Sequence, residues 1–393
     1  MELSQRVQRI KPSPTLAVTA RAAQLRAEGK DIIGFGAGEP DFDTPEHIKQ
    51  AAIEAIRAGF TKYTPVAGIP RLRQAVADKF LRDNGLKYKS SQVLVSVGGK
   101  QSFFNLTQAL LNTGDEVIIP APYWVSYPDM VLLADGVPVC IDSGIDQGFK
   151  ITPDQLERAI TRRTRLVVIN SPSNPTGATY SRAELVALGA VLRRHPHVIV
   201  ASDDIYEHIR LDDGEPFCNI LMACPELYDR AIVLNGVSKS YSMTGWRIGY
   251  AAGPVELIQA MENIQSQSTS NPTSISQVAA EAALNGDQSF IADMNRAFRE
   301  RHDYVVAALN AIRGVRCLPS RGAFYAFPLM QEVIDRLKLK DDLELGEYLI
   351  NEAGVALVPG SAFGAPGYMR LSFATSMDNL KKGLQRITAA LQG

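Results

Sequence analysis

Cysteine is scarce in this chain of 393 residues: there are four, Cys140, Cys218, Cys224 and Cys317, with no CxxC pair among them. That excludes a small disulfide scaffold and makes a reduced, cytoplasmic setting the expectation. An excess of basic charge is missing too. Lys and Arg number 41 against 42 Asp and Glu, a net charge of −1, and no run of like charges exceeds a few residues. A nucleic-acid-binding surface usually carries a basic patch, so nucleic acid is not an expected partner, although a local basic pocket for a small acid stays possible. Long apolar runs are absent as well. No segment reaches about 18 unbroken apolar residues, and the opening "MELSQRVQRIKPSPTLAV" has no apolar stretch with a cleavage site. A soluble protein with no membrane partner is expected. There is no internal repeat, low-complexity tract or long linker.

What remains is an ordinary globular composition, 46% hydrophobic and 21% charged, in a chain long enough for a large domain and a smaller one. From about residue 90, "SQVLVSVGG", "DEVIIPAP", "VPVCID", "RLVVINSP", "HVIVASDD" and "AIVLNGVS" read as strands. Several are apolar without alternation, which suits parallel strands buried on both faces. Between them, "QSFFNLTQALLN", "TPDQLERAI" and "SRAELVALGAVLRRH" carry apolar residues at helical spacing, with Thr152, Pro153 and Ser181 at helix starts. The alternation predicts an α/β fold with a mostly parallel sheet. After roughly residue 285 a long helical stretch, the strand-like "GAFYAFP", a charged helix, "VALVPG" and "YMRLSFA" predict a smaller α+β domain. The helix "TARAAQLRAEGK" and strand "DIIGFGAG" are expected to join it. The expected division is 1–47 as an N-terminal arm with part of the small domain, 48–285 as the large domain, and 286–393 as the small domain.

Ligands of parallel α/β sheets bind at the carboxyl ends of the strands. There the sequence sets Gly98-Gly99 before Lys100-Gln101 at a helix start, Asn174 in "NSPSNPTG", Asp203 and Tyr206 in "SDDIYEH", and Ser238 and Lys239 in "NGVSK". Free N–H groups at a helix start can hold a phosphate. "GFGAGEP" lacks the G-x-G-x-x-G spacing and meets "EPDFDTP" instead of a helix, so a dinucleotide loop is not expected. His195 and His197 in "HPH" read as a solvated turn, and no metal is expected. A phosphate cradle, an amide, an acid, a phenol, a lysine and an arginine together suit pyridoxal 5'-phosphate. That cofactor needs a lysine to bond, a carboxylate facing its ring nitrogen and a phosphate site.

"SPSNPTG", "SDDIYEH" and "SKSYSMTGWRIGY" resemble the signature blocks of fold-type I pyridoxal-phosphate aminotransferases. "AGEPDFDTPEHI", "KYTPVAGIPRLR" and "GDEVIIPAPYWVSYPDM" resemble the bacterial aspartate and aspartate/prephenate enzymes of the class I gamma subgroup, over nearly the whole chain. The resemblance implies that Lys239 bonds the cofactor and carries the proton at the substrate α-carbon. It implies Asp203 at the ring nitrogen, Asn174 and Tyr206 at the phenolate oxygen, and Trp124 stacked on the ring. Ser238, Arg247 and the backbone of Gly99 to Gln101 would hold the phosphate, with Tyr63 from a second subunit of a homodimer that shares its active sites. Arg370 would clamp the substrate α-carboxylate, helped by the backbone of Gly38. One departure is Asp204, where relatives usually have glutamate; it is expected to point away from the ring.

The substrate class follows from a second cation. "NIQSQSTSNPTSISQ" contains no arginine where another branch of the superfamily lends one from the neighbouring subunit. Lys100 is the candidate for a side-chain carboxylate. In the gamma subgroup the matching lysine, with a threonine like Thr15, goes with acidic substrates, and Lys11 matches a lysine linked to prephenate. The expected reaction moves the amino group of L-aspartate to 2-oxoglutarate by a ping-pong route. Prephenate or a broader aromatic and neutral range are the alternatives, and a β-lyase or decarboxylase would use the same scaffold. A non-catalytic regulator would need a lost lysine or an added DNA-binding domain, and neither is present.

Overall fold

The computed structural model describes residues 1–392. A two-residue strand, β1 (Ile33–Gly34), precedes the main sheet. That sheet contains β2 (Val93–Ser96), β3 (Glu116–Ala121), β4 (Val137–Asp142), β5 (Thr164–Asn170), β6 (Ile199–Asp203), β7 (Ala231–Gly236) and β8 (Gly249–Ala252), in the order β2-β8-β7-β6-β5-β3-β4. The chain is therefore α/β, and six of these strands coincide with the apolar runs of the sequence. All run parallel except β8, which is antiparallel to both neighbours. Helices cover both faces, so β2 and β7 are buried throughout and β3 and β5 nearly so. At the edge, β4 has Ile141 as its one buried residue, so its apolar run does not report burial on two faces.

Strand β8 is the one the apolar pattern does not announce. Its "GYAA" begins with a glycine because the backbone comes close to its neighbour there. A Cβ at Gly249 would lie 2.2 Å from the Gly99 nitrogen. Steric closeness selected this strand, and β propensity did not.

Helix starts follow the sequence. The Thr152 hydroxyl accepts from the Gln155 N–H at 3.2 Å and the Ser181 hydroxyl from the Glu184 N–H at 3.2 Å, each within a capping box. These caps set the helices Pro153–Ala159 and Arg182–Arg194.

Beyond the sheet, helix Phe290–Asn310 leads to β9 (Tyr325–Ala326), then β10 (Val355–Ala356), β11 (Val358–Pro359), β12 (Met369–Ser372) and a closing helix, Met377–Gln392. The strand β12 lies between β11 and β9, antiparallel to both. "GAFYAFP" and "DIIGFGAG" each deliver only two strand residues, and "VALVPG" splits around Leu357. β1 pairs in parallel with β10, and Ile33 and Phe35 pack in one core with Phe298, Leu371 and Leu384.

Register aligns the chemical ends of the strands. Asn170 pairs with Asp203 across β5 and β6, and Asp203 with Leu234 across β6 and β7. Behind those ends, fully buried Lys79 on helix Pro70–Asn84 reaches the Glu207 carboxylate. Glu207 also accepts from Asn84 at 2.8 Å and from Asn235 on β7 at 2.6 Å. The cluster ties that helix to the ends of β6 and β7. Asp83, Glu207 and His208 come together here in a metal-like grouping, but the two carboxylates already face a cation, the Lys79 ammonium.

Candidate active site

The carboxyl ends of β5, β6 and β7 open into a cavity of about 440 Å³. Gly38, Gly99, Lys100, Trp124, Asn174, Asp203, Tyr206, Ser238, Lys239, Arg247, Arg370 and Thr15 line it. Gln101, Tyr63 and Lys11 do not.

Lys239 follows β7, and its ammonium donates to the Gly38 carbonyl oxygen. Burial, and then the positive charge of Arg370, pull its pKa down to about 8. Asp203 ends β6, where its carboxylate accepts from the Tyr127 hydroxyl at 2.5 Å and from the Ile205 N–H at 3.3 Å. Burial raises its pKa, and the Tyr127 bond opposes that. Beside it, Asp204 turns into the interior and accepts from Ser202 at 2.7 Å and Asn219 at 2.6 Å.

Arg370 sits on β12 with 2% exposure. One nitrogen donates to the Asn174 side-chain oxygen and another to the Gly36 carbonyl, both at 2.8 Å. Its Nε has no partner, and none of the ion pairs among the described residues includes it. A buried guanidinium without an anion is costly, so its geometry points to an anion supplied from outside. Asn174 is itself positioned by Asn170, whose side-chain oxygen accepts the Asn174 N–H at 2.9 Å.

A second cationic corner lies at the start of helix Gly99–Leu110. Arg247 adopts a left-handed φ of 55° and donates to the Thr244 carbonyl at 2.8 Å. A Cβ at Gly98 would stand 2.2 Å from its guanidinium, so glycine there is what lets the arginine approach the helix start. The Lys100 ammonium lies 5.2 Å from the centre of the Trp124 ring, and burial followed by Arg247 lowers its pKa. The Gln101 side chain instead accepts from the Val97 N–H and donates to Thr269, each at 2.6 Å.

Tyr63 is 92% exposed and does not reach the pocket of its own chain. Lys11 is exposed and lies beside Asp129. The structure adds wall residues that the sequence did not single out: Tyr127, Asn170, Tyr325, Glu39 and Thr244. Tyr127 stands within "YWVSYP", three residues after Trp124, and that nearness was the available signal. For Tyr325 the sequence carries none, because its partners lie far away along the chain. Elsewhere, His195 bonds to Glu157 at 2.9 Å and His197 to the Thr161 carbonyl at 3.0 Å. Among the described residues no helix is long and apolar enough to cross a membrane.

The family model described as aminotransferase class I and II matches residues 30–387. An aspartate/prephenate aminotransferase of Nitrosomonas europaea is 64% identical over 397 residues, covering all of both chains. One from Cereibacter sphaeroides is 56% identical, over all of this chain and 99% of that one. Among solved structures, an aspartate aminotransferase from Rhizobium meliloti has a TM-score of 0.95 at 49% identity, over 100% of this chain and 99% of that one. The aspartate aminotransferase from Thermus thermophilus with maleate has a TM-score of 0.94 at 45% identity, over 99% and 100%.

Proposed function

The chain belongs to the class I and II aminotransferases, and from that premise we propose that it transfers the amino group of L-aspartate to 2-oxoglutarate with pyridoxal 5'-phosphate as cofactor. The residues fit that group on two counts. Gly98 leaves room for Arg247 beside the helix start at Gly99, a corner for a phosphate. Asp203 and Lys239 put a carboxylate and a low-pKa amine on the same wall. Bound there, pyridoxal phosphate supplies an electron sink that makes the substrate α-proton removable.

The chain's own residues do the rest. Ser238, Arg247 and the N–H groups at Gly99 and Lys100 hold the phosphate, whereas the Gln101 N–H, also expected there, already donates to the Gly98 carbonyl at 3.1 Å. Asp203, kept in place by Tyr127, faces the ring nitrogen, and a positive charge there favours the ionised acid. Asn174 and Tyr206 take the phenolate oxygen, and Trp124 covers the ring. Lys239 moves the proton at the substrate α-carbon. Arg370 grips the α-carboxylate bidentately, with Gly38 beside it. Tyr63 is assigned to the phosphate of a partner subunit in a homodimer with shared sites, which its exposure in one chain permits. Residues 48–285 are taken as the cofactor domain, 1–47 as the arm with part of the small domain and 286–393 as the rest of the small domain. The setting is cytoplasmic.

The observation that carries the aspartate reading is Arg370, a buried guanidinium lacking an anion, in a pocket where, among the described residues, Lys100 is the one other cation that the cofactor does not occupy, Lys239 and Arg247 being assigned to it. Two cations suit an acid with two carboxylates. Thr15, on the helix Pro14–Ala27, closes the same wall. Prephenate as amino acceptor is the second reading, favoured by the names of the relatives at 64% and 56% identity. Lys11 belongs to that reading.

The test follows the visible absorption of the holoenzyme as single amino acids are added. Aspartate and glutamate should bleach the band, and oxaloacetate or 2-oxoglutarate should restore it. Faster bleaching by aromatic or neutral amino acids would overturn the aspartate assignment. In Lys100→Ala, kcat/KM for aspartate should fall about 10- to 100-fold and that for alanine should barely change. That is the loss expected for one partly exposed charge pair, about 1.5–3 kcal/mol.

A pH prediction follows from Lys239. With a pKa near 8 instead of the ordinary lysine value of 10.5, roughly a tenth of the amine is neutral at pH 7. The rate at which apoenzyme takes up pyridoxal phosphate should rise about tenfold between pH 6 and 7 and level off above 8, as read by stopped-flow absorbance. A rate still climbing tenfold per unit at pH 9 would contradict the lowered pKa.

A further inference from the structure

We propose that Tyr325 is a positioning residue that holds both the Tyr206 hydroxyl and the Arg370 guanidinium, joining the cofactor-oxygen side of the pocket to the carboxylate grip. This rests on the function proposed above. Tyr325 is fully buried on β9 and reaches the cavity wall. Its hydroxyl lies 2.8 Å from the Tyr206 hydroxyl, the one hydrogen bond that either phenol makes among the described residues. The two rings meet edge to face at 5.9 Å. On its other side, the Arg370 guanidinium carbon sits 4.5 Å from the Tyr325 ring centre.

The register explains how one residue does both. Tyr325 pairs with Ser372 on β12, and Arg370 lies two residues from Ser372, on the same face of that strand. The backbone of Tyr325 is held by the Ser320 hydroxyl, which donates to its carbonyl at 2.7 Å. Its hydroxyl also borders Gly38, where a Cβ would stand 3.1 Å away.

The chemistry divides between ring and hydroxyl. Tyr206 must turn its own proton into the pocket to hold an oxygen anion there. Either phenol can donate across this contact; once an oxygen anion in the pocket takes the Tyr206 proton, Tyr325 becomes the donor to the Tyr206 oxygen and strengthens it as a donor in turn. The ring face meanwhile steadies a guanidinium that has few partners of its own, since a cation over an aromatic face is attracted most strongly when desolvated. A phenylalanine would keep the second role and lose the first.

The experiment compares holoenzymes of the unaltered chain, Tyr325→Phe, Tyr325→Leu, Tyr206→Phe and the double Tyr206→Phe/Tyr325→Phe. Two readouts other than turnover are taken: the pH at which the visible band of the bound cofactor titrates, and the Kd of maleate. Tyr325→Phe should move the titration upward by about 0.5–1 pH unit, because the anionic form loses support, while maleate affinity stays within about twofold. Tyr325→Leu should also weaken maleate about tenfold or more. In the Tyr206→Phe background, Tyr325→Phe should give no further shift.

An unchanged titration in Tyr325→Phe, or an undiminished shift in the double variant, would overturn the coupling through Tyr206. Unweakened maleate binding in a folded Tyr325→Leu would overturn the ring's role; the Phe variant decides the coupling whether or not the Leu variant folds. Absence of a titrating band in the unaltered protein would strike the proposed function instead.

Discussion

Replacing Lys239 with alanine lowers kcat for aspartate with 2-oxoglutarate by at least about 10⁴-fold, measured with saturating pyridoxal phosphate. The size follows from what the pocket otherwise contains. Positioned proton transfer contributes about 10²–10⁴-fold, and a tethered group reaches effective molarities far beyond any solute. Arg247 donates to the Thr244 carbonyl and Arg370 to Asn174 and Gly36, Asp203 is held by Tyr127, and the Lys100 ammonium stacks over Trp124. None of these stands where Lys239 does, against the Gly38 carbonyl. Cofactor should still bind, since the helix start at Gly99, Ser238 and Arg247 are untouched, and an added small primary amine should restore part of the rate in proportion to its concentration. A variant that keeps more than about one per cent of the activity would assign the proton transfer to another group.

How far the sequence spoke depended on distance along the chain. Lys239, Asp203 and Asn174 were legible as pocket residues because each follows an apolar strand, and strand ends are where such sheets gather ligands. The capping boxes at Thr152 and Ser181 were legible because they involve neighbours only three residues apart. β8 was not, because its opening glycine answers to the backbone of Gly99, far away in sequence. The same holds for Tyr325, which meets Tyr206 across 119 positions, and for the tie between Lys79 and Glu207 across 128. Gln101 shows the limit from the other side: next to Lys100, it turns its side chain to Val97 and Thr269. Adjacency placed it near the pocket but could not say which way it faces.

Arg370→Met should lower kcat/KM for aspartate by about 10²–10³-fold while hardly destabilising the ligand-free protein. The first part is the loss of a buried, hydrogen-bonded charge contact to a carboxylate, about 3–4 kcal/mol. The second part is less usual for a residue with 2% exposure. Removing a buried charge from an ion pair strands its partner, but Arg370 has no acidic partner to strand. Its desolvation is a cost of the ligand-free fold that two hydrogen bonds and the ring faces of Tyr325 and Phe363 offset only in part, and burial accordingly pushes its pKa down. Against the relief of that cost stand two acceptors that lose a donor, the Asn174 side-chain oxygen and the Gly36 carbonyl, at about 1–3 kcal/mol each. The opposing terms are similar in size, so the net change in unfolding free energy should stay within about 2 kcal/mol. Thermal unfolding with and without maleate separates the two parts. Maleate should raise the Tm of the unaltered protein and leave that of Arg370→Met where it was, because only a native state that binds the ligand is stabilised by it. A variant stabilised by maleate as strongly as the parent would remove Arg370 from the carboxylate site. A large loss of ligand-free stability would mean that the guanidinium is there for the fold and not for an incoming anion.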